Sequence, residues 1–456
     1  MQYITLEEKK VLLYGSYDVI IVGGGTAGAV AAISSGREGL KTLVVEQFGS
    51  LGGSQTVGLV NPMMHNKIEG NPYSSSIDEE ICERMIQIGY GSGHGGPNKG
   101  WFDSQMLKVV LEEMVIEAGC DILYHTSLID VLKEEEKIKA IIIHNKDGIS
   151  AVKGSYFIDC TGDGDVAYYL GLPLESGDKN GMNQALSLRF QMTNIDCDRF
   201  GEYLESLGQE GTTRQPLLHT AAVRGKDWVL NPLFEEKIEQ GVLEPQDLKY
   251  FQIFSVPGKP RDLAFNCPEL GAKKNIVDAT FLTQKQIEGK KAIMRLASFL
   301  QKYVPGFEEA YISDIAPMLG IRESRRVIAE YRLTGKDIVS YAKFEDGIAR
   351  SNYPIDIHNG DQEEDLEYSE VGLSEQYYEI PYRSLVVDGI DNLLAAGRCT
   401  GSDFIAQSAI RIQQVCRAMG EATGIAAAYA LEKKIPFRQV EGKEVRARMR
   451  ERGGEI

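Results

Sequence analysis

A nearly uncharged run of fifteen residues, "VIIVGGGTAGAVAAI" (Val19 to Ile33), constrains the fold more than any other part of the sequence. A membrane-spanning helix needs ~20 predominantly apolar residues, whereas this run contains four glycines and is preceded by Asp18. A secretory signal begins with a basic segment, and this sequence opens with "MQYITLEEKK". The run therefore favours neither a membrane span nor a signal peptide, and a nucleotide-binding turn is the remaining interpretation.

The glycines of this run have the spacing of a dinucleotide-binding turn. Gly23, Gly25 and Gly28 lie between a β-branched stretch, "YDVIIVG", and a predicted helix of small residues. In such a unit the first glycine permits the tight turn, the second lets a pyrophosphate approach the backbone, and the third lets the helix pack on the strand. The helix N-terminus, at Thr26 and Ala27, offers N–H groups to the phosphates. The motif alone is a weak signal, because other glycine-rich turns match it by chance.

The next predicted strand strengthens this interpretation. It is "KTLVVE" and ends at Glu46, eighteen residues after Gly28, where a carboxylate can accept both ribose hydroxyls of an adenosine. A simple NAD domain would then continue into another crossover helix, but "QFGSLGGSQTVGLVNPMM" is a second glycine-rich stretch. These features predict a dinucleotide site in which a long ligand lies against backbone.

Composition and charge exclude other classes of partner. The 456 residues carry a formal net charge of -17, and no Lys/Arg-rich tract offsets it locally. A phosphate backbone is bound through a positive field, so we expect no nucleic-acid partner, and we expect no membrane partner either. The seven cysteines are scattered and form no CxxC pair, which is typical of reduced thiols and predicts a cytoplasmic protein without a bound metal.

Further motifs follow in a fixed order along the chain. They include "GGGTAG", "GGSQTVGLVNP", "FIDCTGDGDVAYYLG", "VPGFEEAYISDIAPMLGIRESRRVIAEYRLT", "IDIH", "IPYRSLV" and "NLLAAGRCTGSDFIAQSAIRI". Over nearly its whole length the sequence resembles the FAD-dependent oxidoreductases of the glutathione-reductase-like fold, and distantly the fumarate reductase and succinate dehydrogenase flavoproteins. The resemblance implies an oxidoreductase that binds FAD.

The resemblance also implies a set of cofactor-binding residues. The pyrophosphate would lie against Gly23, Gly25 and Gly28 with Thr26 and Ala27, and the adenosine ribose would lie against Glu46. The adenine would lie beside the backbone of Leu128 or Ile129, and the flavin region near Gly53 and Thr56. Thr161, Gly162 and Asp163 would form a second turn under the cofactor, and Arg398 and Asp403 would lie beside its ribityl and phosphate groups. A helix beginning near Ala406 would direct its positive end at the flavin, where reduced flavin carries negative charge. For Asp163 and Asp165, capping a helix that starts at Val166 is the alternative role.

Covalent attachment of the flavin is not expected. In the similar fumarate reductase and succinate dehydrogenase flavoproteins, a histidine just before the threonine of the glycine-rich segment carries the flavin. Aligned on Thr56, that position is Gln55 here, which cannot form the link.

The predicted fold class is α/β, with a discontinuous Rossmann-like FAD-binding domain and an inserted α+β substrate domain. We place the FAD-binding domain at residues 14–61, 101–171 and 384–433, the substrate or cap domain at 172–383, and a loop-rich, lid-like excursion at 62–100. Within the substrate domain, "SLRFQMTNI" and "RVIAEYRLTG" are typical of strands. The stretch "DATFLTQKQIEGKKAIMRLASFLQKYV" predicts a helix that stops at Pro305 and Gly306.

The charged motif "GIRESRR" supplies the first candidates for a substrate site. In an extended chain Arg322 and Arg326 share one side, and Glu323 and Arg325 share the other. One pair could hold an anionic substrate group while the other forms an ion pair. A solvated network of salt bridges is the alternative interpretation.

Two histidines are the acid/base candidates. His358 in "IDIHNG" and His65 in "NPMMHN" each fall in a segment that the resemblance places near the flavin. A packing or surface role is the alternative for each of them.

Two kinds of function remain open from the sequence. The first is hydride transfer between noncovalently bound FAD and a small polar substrate, such as a hydroxy acid, polyol or sugar derivative. The second is a non-redox protein that modifies RNA or a cofactor precursor with the same dinucleotide-binding fold. The acidic composition argues against the RNA version. A homo-oligomer is compatible with both.

Overall fold

The structure, a computed structural model, describes residues 10–64, 68, 73–93, 100–223, 227–358 and 376–456. The helices are α1 Thr26–Arg37, α2 Ser76–Gln87, α3 Ser104–Glu117, α4 Asp165–Tyr169, α5 Cys197–Ser206, α6 Asn231–Glu239, α7 Gln246–Lys249, α8 Ala279–Tyr303, α9 Gly335–Val339, α10 Phe404–Ile410, α11 Gln413–Lys433 and α12 Gly442–Glu451. The strands are β1 Leu12–Val22, β2 Thr42–Val45, β3 Asp121–Leu123, β4 Ser127–Glu134, β5 Lys137–Asn145, β6 Gly148–Asp159, β7 Leu174–Ser176, β8 Phe190–Thr193, β9 Thr213–Arg214, β10 Leu217–Val223, β11 Tyr250–Val256, β12 Lys259–Phe265, β13 Tyr311–Ile315, β14 Arg325–Val327, β15 Gly347–Ser351, β16 Tyr378–Pro381 and β17 Leu393–Ala395.

The first sheet is built around β1. Its strand order is β3–β2–β1–β6–β5–β4, and β17 also pairs with β6. The pairs of β1, β2, β3, β6 and β17 are parallel, whereas β4, β5 and β6 form an antiparallel meander. Val19 to Val22 of β1 are buried, as expected for a parallel strand covered on both faces. The sheet joins distant parts of the chain, and the predicted α/β class with a Rossmann-like sheet is confirmed.

The second sheet is antiparallel, with the order β13–β8–β12–β11–β10–β9. Because side chains alternate across a strand, its two faces differ. One face carries Phe190, Phe251 and Phe265 into an apolar core with α5, α6 and α8. The other, which we call the polar sheet face, carries Arg189, Gln191, His219, Tyr250, Gln252 and Asn266 at or beside the ends of these strands.

The polar sheet face is not open to solvent, because it packs against the segments that contain Asn61 and Trp101. Phe254, on the same face, packs edge-on against Trp101 with the ring centroids 5.3 Å apart. The Asn61 side chain donates to the carbonyl oxygen of Ser255 at 3.2 Å. Polar side chains are therefore buried between this sheet and the second glycine-rich segment.

Helices α1 and α11 pack with their backbones in contact. A Cβ at Gly420 would lie 2.3 Å from the carbonyl oxygen of Ala27, and one at Gly424 would lie 2.6 Å from the side chain of Ser34. The Ser34 hydroxyl donates to the carbonyl oxygen of Glu421 at 2.8 Å. The position of α1 thus depends on the glycines of α11.

Two local predictions from the sequence were wrong in part. The segment 62–100, expected to be rich in loops, contains α2, which buries Ile77, Ile81 and Met85. The helix was missed because the segments on both sides of it are rich in Gly, Asn, Ser and Pro, which are typical of loops. The stretch "RVIAEYRLTG" is extended only in β14, after which isolated bridges link Ala329 to Val387 and Leu333 to Ser402. The domain boundaries stay predictions.

Other elements agree with the sequence-based expectations. "SLRFQMTNI" contains β8, and the long predicted helix is α8, which ends two residues before Pro305. The seven cysteines are buried and form no disulfide. Among the described residues, none of the helices is both long and apolar enough to span a bilayer.

The contact between α1 and α11 generates a prediction for stability. Replacing Gly420 with valine should lower the free energy of unfolding by about 1–3 kcal/mol, because the added atoms overlap the main chain of α1. Lys433→Ala, at the exposed end of α11, is the control and should change it by less than about 0.5 kcal/mol. Denaturant unfolding of both variants measures the difference, and equal midpoints for Gly420→Val and the parent would contradict the prediction.

Candidate functional site

The turn between β1 and α1 needs two of its glycines for its own fold. A Cβ at Gly23, where φ is +92°, would lie 2.6 Å from the carbonyl oxygen of Cys160. A Cβ at Gly28 would lie 1.9 Å from the carbonyl oxygen of Gly23. These contacts hold the end of β1 against the end of β6 and the start of α1 against the end of β1.

Gly25 differs from these two glycines. A Cβ there would meet its nearest atoms, in Cys160 and Gly53, only at 4.0 Å, so the protein itself leaves room for a side chain. Gly25 is the N-cap of α1, and no side chain caps this helix. The first N–H groups of a helix, here those of Thr26, Ala27 and Gly28, lack partners within the helix and attract anions. The turn therefore fits a pyrophosphate that lies close to the backbone.

Glu46 is positioned beside the same turn. Its carboxylate is 5% exposed, and its two oxygens accept the N–H groups of Gly24 at 2.7 Å and Phe48 at 2.8 Å. Burial raises the pKa of the Glu46 carboxyl, and these backbone N–H groups oppose that shift. Each carboxylate oxygen has a second lone pair, so the arrangement can also accept hydroxyl groups from a ribose.

The adenine-side candidates follow closely along the chain. The Thr126 N–H donates to the carbonyl oxygen of Glu46 at 3.0 Å, and β4 begins at the next residue. Leu128 and Ile129 are partly buried on this strand. Their assignment to the adenine stays a prediction, because no contact of the protein's own tests it.

The second glycine-rich segment contacts the first turn directly. A Cβ at Gly53 would lie 2.9 Å from the Cα of Gly25. Thr56 is fully buried, and its hydroxyl donates to the carbonyl oxygen of Leu51, so this side chain shapes the segment. The side chains of Gln55 and Gln413 are in contact at 3.0 Å, which brings the segment to the start of α11.

The turn after β6 is organised by Asp159, which the sequence did not single out. Its carboxylate accepts the N–H and hydroxyl of Thr161 at 3.1 and 2.7 Å and the N–H of Val166 at 2.9 Å. Asp159 therefore supplies the acceptor for the first turn of α4. The alternative in which Asp163 or Asp165 caps that helix was wrong.

Arg398 covers this second turn. Its guanidinium forms an ion pair with Asp163 at 2.9 Å and donates to the hydroxyl of Ser324 at 2.9 Å. A Cβ at Gly162 would lie 2.9 Å from the Nε of Arg398. The structure thus brings together Gly162, Asp163 and Arg398, which the resemblance had assigned to the cofactor separately.

The helix predicted near Ala406 is α10, which begins at Phe404 and has only seven residues. The Asp403 carboxylate caps it by accepting the Ala406 N–H at 2.7 Å, and it also accepts the Gly335 N–H at 2.9 Å. The longer helix α11 begins at Gln413, and no side chain caps it. The assignment of the helix near Ala406 to the flavin stays a prediction, and the uncapped start of α11 is a second helix end that could stabilise negative charge.

A partly buried group of charges, which we call the substrate-side group, is centred on Asp356. This carboxylate contacts Nε2 of His358 at 3.1 Å, the guanidinium of Arg411 at 3.1 Å and the hydroxyl of Tyr353 at 3.2 Å. Burial alone would raise the pKa of Asp356, but His358 and Arg411 outweigh it and hold the pKa well below its ordinary value. Asp356 is therefore a carboxylate at neutral pH.

Both ring nitrogens of His358 are engaged. In addition to Asp356, the ring contacts Glu269, with Nδ1 3.3 Å from Oε2. Its ring packs edge-on against Tyr250, with the centroids 5.1 Å apart. His358 can exchange a proton with a substrate only by giving up one of these carboxylate contacts or by passing the proton through Asp356.

The two arginines expected on one side have different surroundings. Arg326 is buried, pairs with Glu323 and donates to the carbonyl oxygen of Ser402 at 3.0 Å, so its guanidinium is used within the fold. The alternation that placed Arg326 with Arg322 was wrong, because residues 321–324 lie outside any strand and the side chain of Glu323 meets that of Arg326. Arg325 forms an ion pair with Asp165.

Arg322 remains with the substrate-side group. Its guanidinium donates to the carbonyl oxygen of Ala185 at 2.6 Å and lies 5.7 Å from the ring centroid of Tyr250. The Gln407 side chain donates to the carbonyl oxygens of Arg322 at 2.9 Å and Arg398 at 3.4 Å. One amide therefore joins the substrate-side group to the second turn.

Sequence reasoning missed several members of this group. Asp356 in "IDIH" and Arg411 in "SAIRI" are charged residues within apolar stretches, and that isolation was the available signal. Glu269, Tyr250 and Arg189 had none, because distant strands bring them together. His65 lies outside the described residues. Among those residues, no group of three or more His, Cys, Asp or Glu side chains is arranged to hold a metal ion.

Comparisons with known proteins agree with this geometry. A family model described as "FAD dependent oxidoreductase" matches residues 18–449. The digeranylgeranylglycerophospholipid reductase of Thermoplasma volcanium is 24% identical over 209 residues, which cover 43% of this chain and 52% of that protein. The thiamine thiazole synthase of Methanococcus vannielii is 30% identical over 156 residues, covering 32% of this chain and 56% of that protein. The chain thus spans about half the length of these curated relatives.

A solved structure was also similar. It is a geranylgeranyl bacteriochlorophyll reductase-like protein from Thermoplasma acidophilum, with a TM-score of 0.46, 13% sequence identity and coverage of 96% of this chain and 83% of that one.

The contrast between Gly25 and Gly28 generates a prediction for cofactor binding. Gly25→Ala should weaken FAD binding by roughly tenfold or more, because the methyl group takes the space of a phosphate, while the stability of the apoprotein changes little. Gly28→Ala is the matched control and should destabilise the apoprotein itself, because its Cβ overlaps Gly23. Fluorescence titration with FAD and thermal unfolding of the apoproteins measure the two effects. Normal FAD affinity in Gly25→Ala would contradict this assignment.

Proposed function

Because the chain belongs to the FAD-dependent oxidoreductase family, we propose that it transfers a hydride between noncovalently bound FAD and a small polar substrate, such as a hydroxy acid, polyol or sugar derivative. The observation that carries this proposal is the partly buried group of Asp356, His358, Arg411 and Arg322, which Gln407 joins to the second turn. Placement of the chain in the glutathione-reductase-like or fumarate reductase grouping stays part of the proposal. The family match favours this redox function over the non-redox alternative.

FAD, when bound, supplies the hydride chemistry itself. The chain supplies binding and charge control around it. The start of α1 and the Glu46 carboxylate would hold the adenosine diphosphate half, as their open N–H groups and lone pairs allow. The uncapped start of α11, next to Gln55, would stabilise negative charge on the reduced cofactor.

Proton transfer is the second task of the chain. When a hydride leaves the C–H bond of an alcohol, a carbonyl forms only if the hydroxyl proton is taken up by a base. The His358 ring offers such an acceptor, and the negative charge of Asp356, in direct contact with it, would stabilise the protonated ring. Arg322 would orient the polar group of the substrate through its remaining N–H donors.

The first test of this proposal is the identity and attachment of the cofactor. The purified protein should be yellow and should release its colour into the supernatant on acid precipitation, because Gln55 cannot form a covalent link. Chromatography of the released material should yield FAD. Recovery of FMN or NAD alone, or a yellow pellet, would contradict the expectation.

The second test concerns the substrate-side residues. Arg322→Met and His358→Ala should retain FAD but slow flavin reduction by a substrate by ~10²-fold or more, the scale of a lost acid/base or orienting group. Arg199→Met and His144→Ala, both at exposed positions, are matched controls and should react at the parent rate. Stopped-flow absorbance measures reduction. If the first two variants bind FAD and react as fast as the controls, both roles are wrong and His65 with Arg326 becomes the next pair.

A further inference from the structure

Arg189 is a buried cation on the polar sheet face. Arg189 is 5% exposed, and its guanidinium donates to the carbonyl oxygen of Leu59 at 3.4 Å. In the part of the chain that the structure describes, neither Arg189 nor Arg322 forms an ion pair with a carboxylate. Both guanidinium groups keep N–H donors that no acceptor of the described chain uses.

Other buried arginines of this protein are paired. Arg326 contacts Glu323, and Arg417 contacts Asp78, which is itself buried. A buried charge without a partner is costly, so an arginine kept for structure alone is expected to have one. Arg189 departs from that pattern. Burial lowers its pKa to about 10, so the side chain is still charged at neutral pH.

Among the residues that the structure describes, the charges around Tyr250 add up to an excess of positive charge. Asp356 and Glu269 lie near Arg322, but they are already bound to Arg411 and His358. The guanidinium groups of Arg189, Arg322 and Arg411 outnumber these two carboxylates, even before His358 is counted. An anion bound here would complete the balance.

The neighbouring polar atoms also suit a bound anionic molecule. Gln191, on the polar sheet face next to Arg189, has a buried amide nitrogen without a hydrogen-bond partner in the described structure. Leu59, whose carbonyl oxygen Arg189 contacts, belongs to the glycine-rich segment that begins at Gly53 and touches the first turn. The unused donors therefore lie between the sheet and the cofactor-binding segment.

We propose that Arg189 and Arg322 together bind a carboxylate group of the substrate, so that this protein acts on a small carboxylic acid anion and not on a neutral polyol or sugar. The inference rests on the proposed function, because it names the substrate class of the same site. A guanidinium presents paired, planar donors to a carboxylate, and two of them near Tyr250 would fix its orientation. Arg189 is then a substrate-binding residue, although its position on a strand of the second sheet gives no motif in the sequence.

The test is binding of defined anions to the FAD-loaded protein. The probes are glycolate and L-malate, with glycolamide and glycerol as uncharged counterparts, at an ionic strength held constant with sodium chloride. The readouts are the change in the flavin absorption spectrum and the rise in melting temperature. At least one of the two carboxylates should bind, and the uncharged compounds should not.

The variants assign this binding to the two arginines. Arg189→Met and Arg322→Met should each weaken carboxylate binding by roughly tenfold to a hundredfold, the range for a lost hydrogen bond to a charged group, while FAD content stays at the parent level. Arg189→Lys, which keeps the charge but not the paired donors, should recover part of the affinity. Arg199→Met, at an exposed arginine of α5, is the control and should bind as the parent does.

Three outcomes would overturn the inference: neither carboxylate binds the parent, Arg189→Met binds them with unchanged affinity, or Arg189→Met loses FAD, which would make Arg189 a cofactor ligand. These results are distinct from failure of the proposed function. Reduction of the flavin by glycerol without carboxylate binding would reject the carboxylate class and leave hydride transfer standing. Absence of FAD from the purified parent would reject the function itself.

Discussion

Contact between backbone atoms at the first turn is the constraint on which the rest of the site depends. The carbonyl oxygen of Cys160 lies where a Cβ of Gly23 would be, and the carbonyl oxygen of Gly23 lies where a Cβ of Gly28 would be. These contacts bring the ends of β1 and β6 together and set the direction of α1. Because α1 also packs on Gly420 of α11, one series of glycine contacts positions both α1 and α11, whose N-termini have no side-chain cap.

The distribution of buried charge divides the interior into structural and functional parts. Where an arginine joins elements, as Arg326 and Arg417 do, a carboxylate neutralises it within the fold. Around Tyr250 the compensation is incomplete within the described residues, where Arg189 contacts a carbonyl oxygen and the Phe254 ring but no carboxylate. Since desolvation of an unpaired cation opposes folding, this region lowers the free energy of unfolding of the protein. Such local conflicts between stability and arrangement are typical of binding sites.

The sequence predicted what depends on neighbouring residues and missed what depends on chain topology. Gly23, Gly25, Gly28 and Glu46 could be identified because one strand, one turn and one helix follow each other within a short stretch. His358 and Glu269 are 89 residues apart in the sequence, and both lie in loops. No local sequence pattern therefore indicates that they pair. Alternation also failed at Glu323 and Arg326, whose side chains form an ion pair, because it holds only within strands and residues 321–324 lie outside any strand.

The two amide contacts of Gln407 have a consequence for how such a protein can diverge. The side chain of Gln407 binds carbonyl oxygens of residues 322 and 398, and main-chain carbonyls are present whatever side chains those positions carry. The contact that Gln407 makes with these two main-chain segments is therefore independent of the side chains at positions 322 and 398. Mutations that alter ligand preference at position 322 can accumulate without loosening this attachment. An ancestral scaffold with this glutamine could serve many chemistries while keeping its two parts in register.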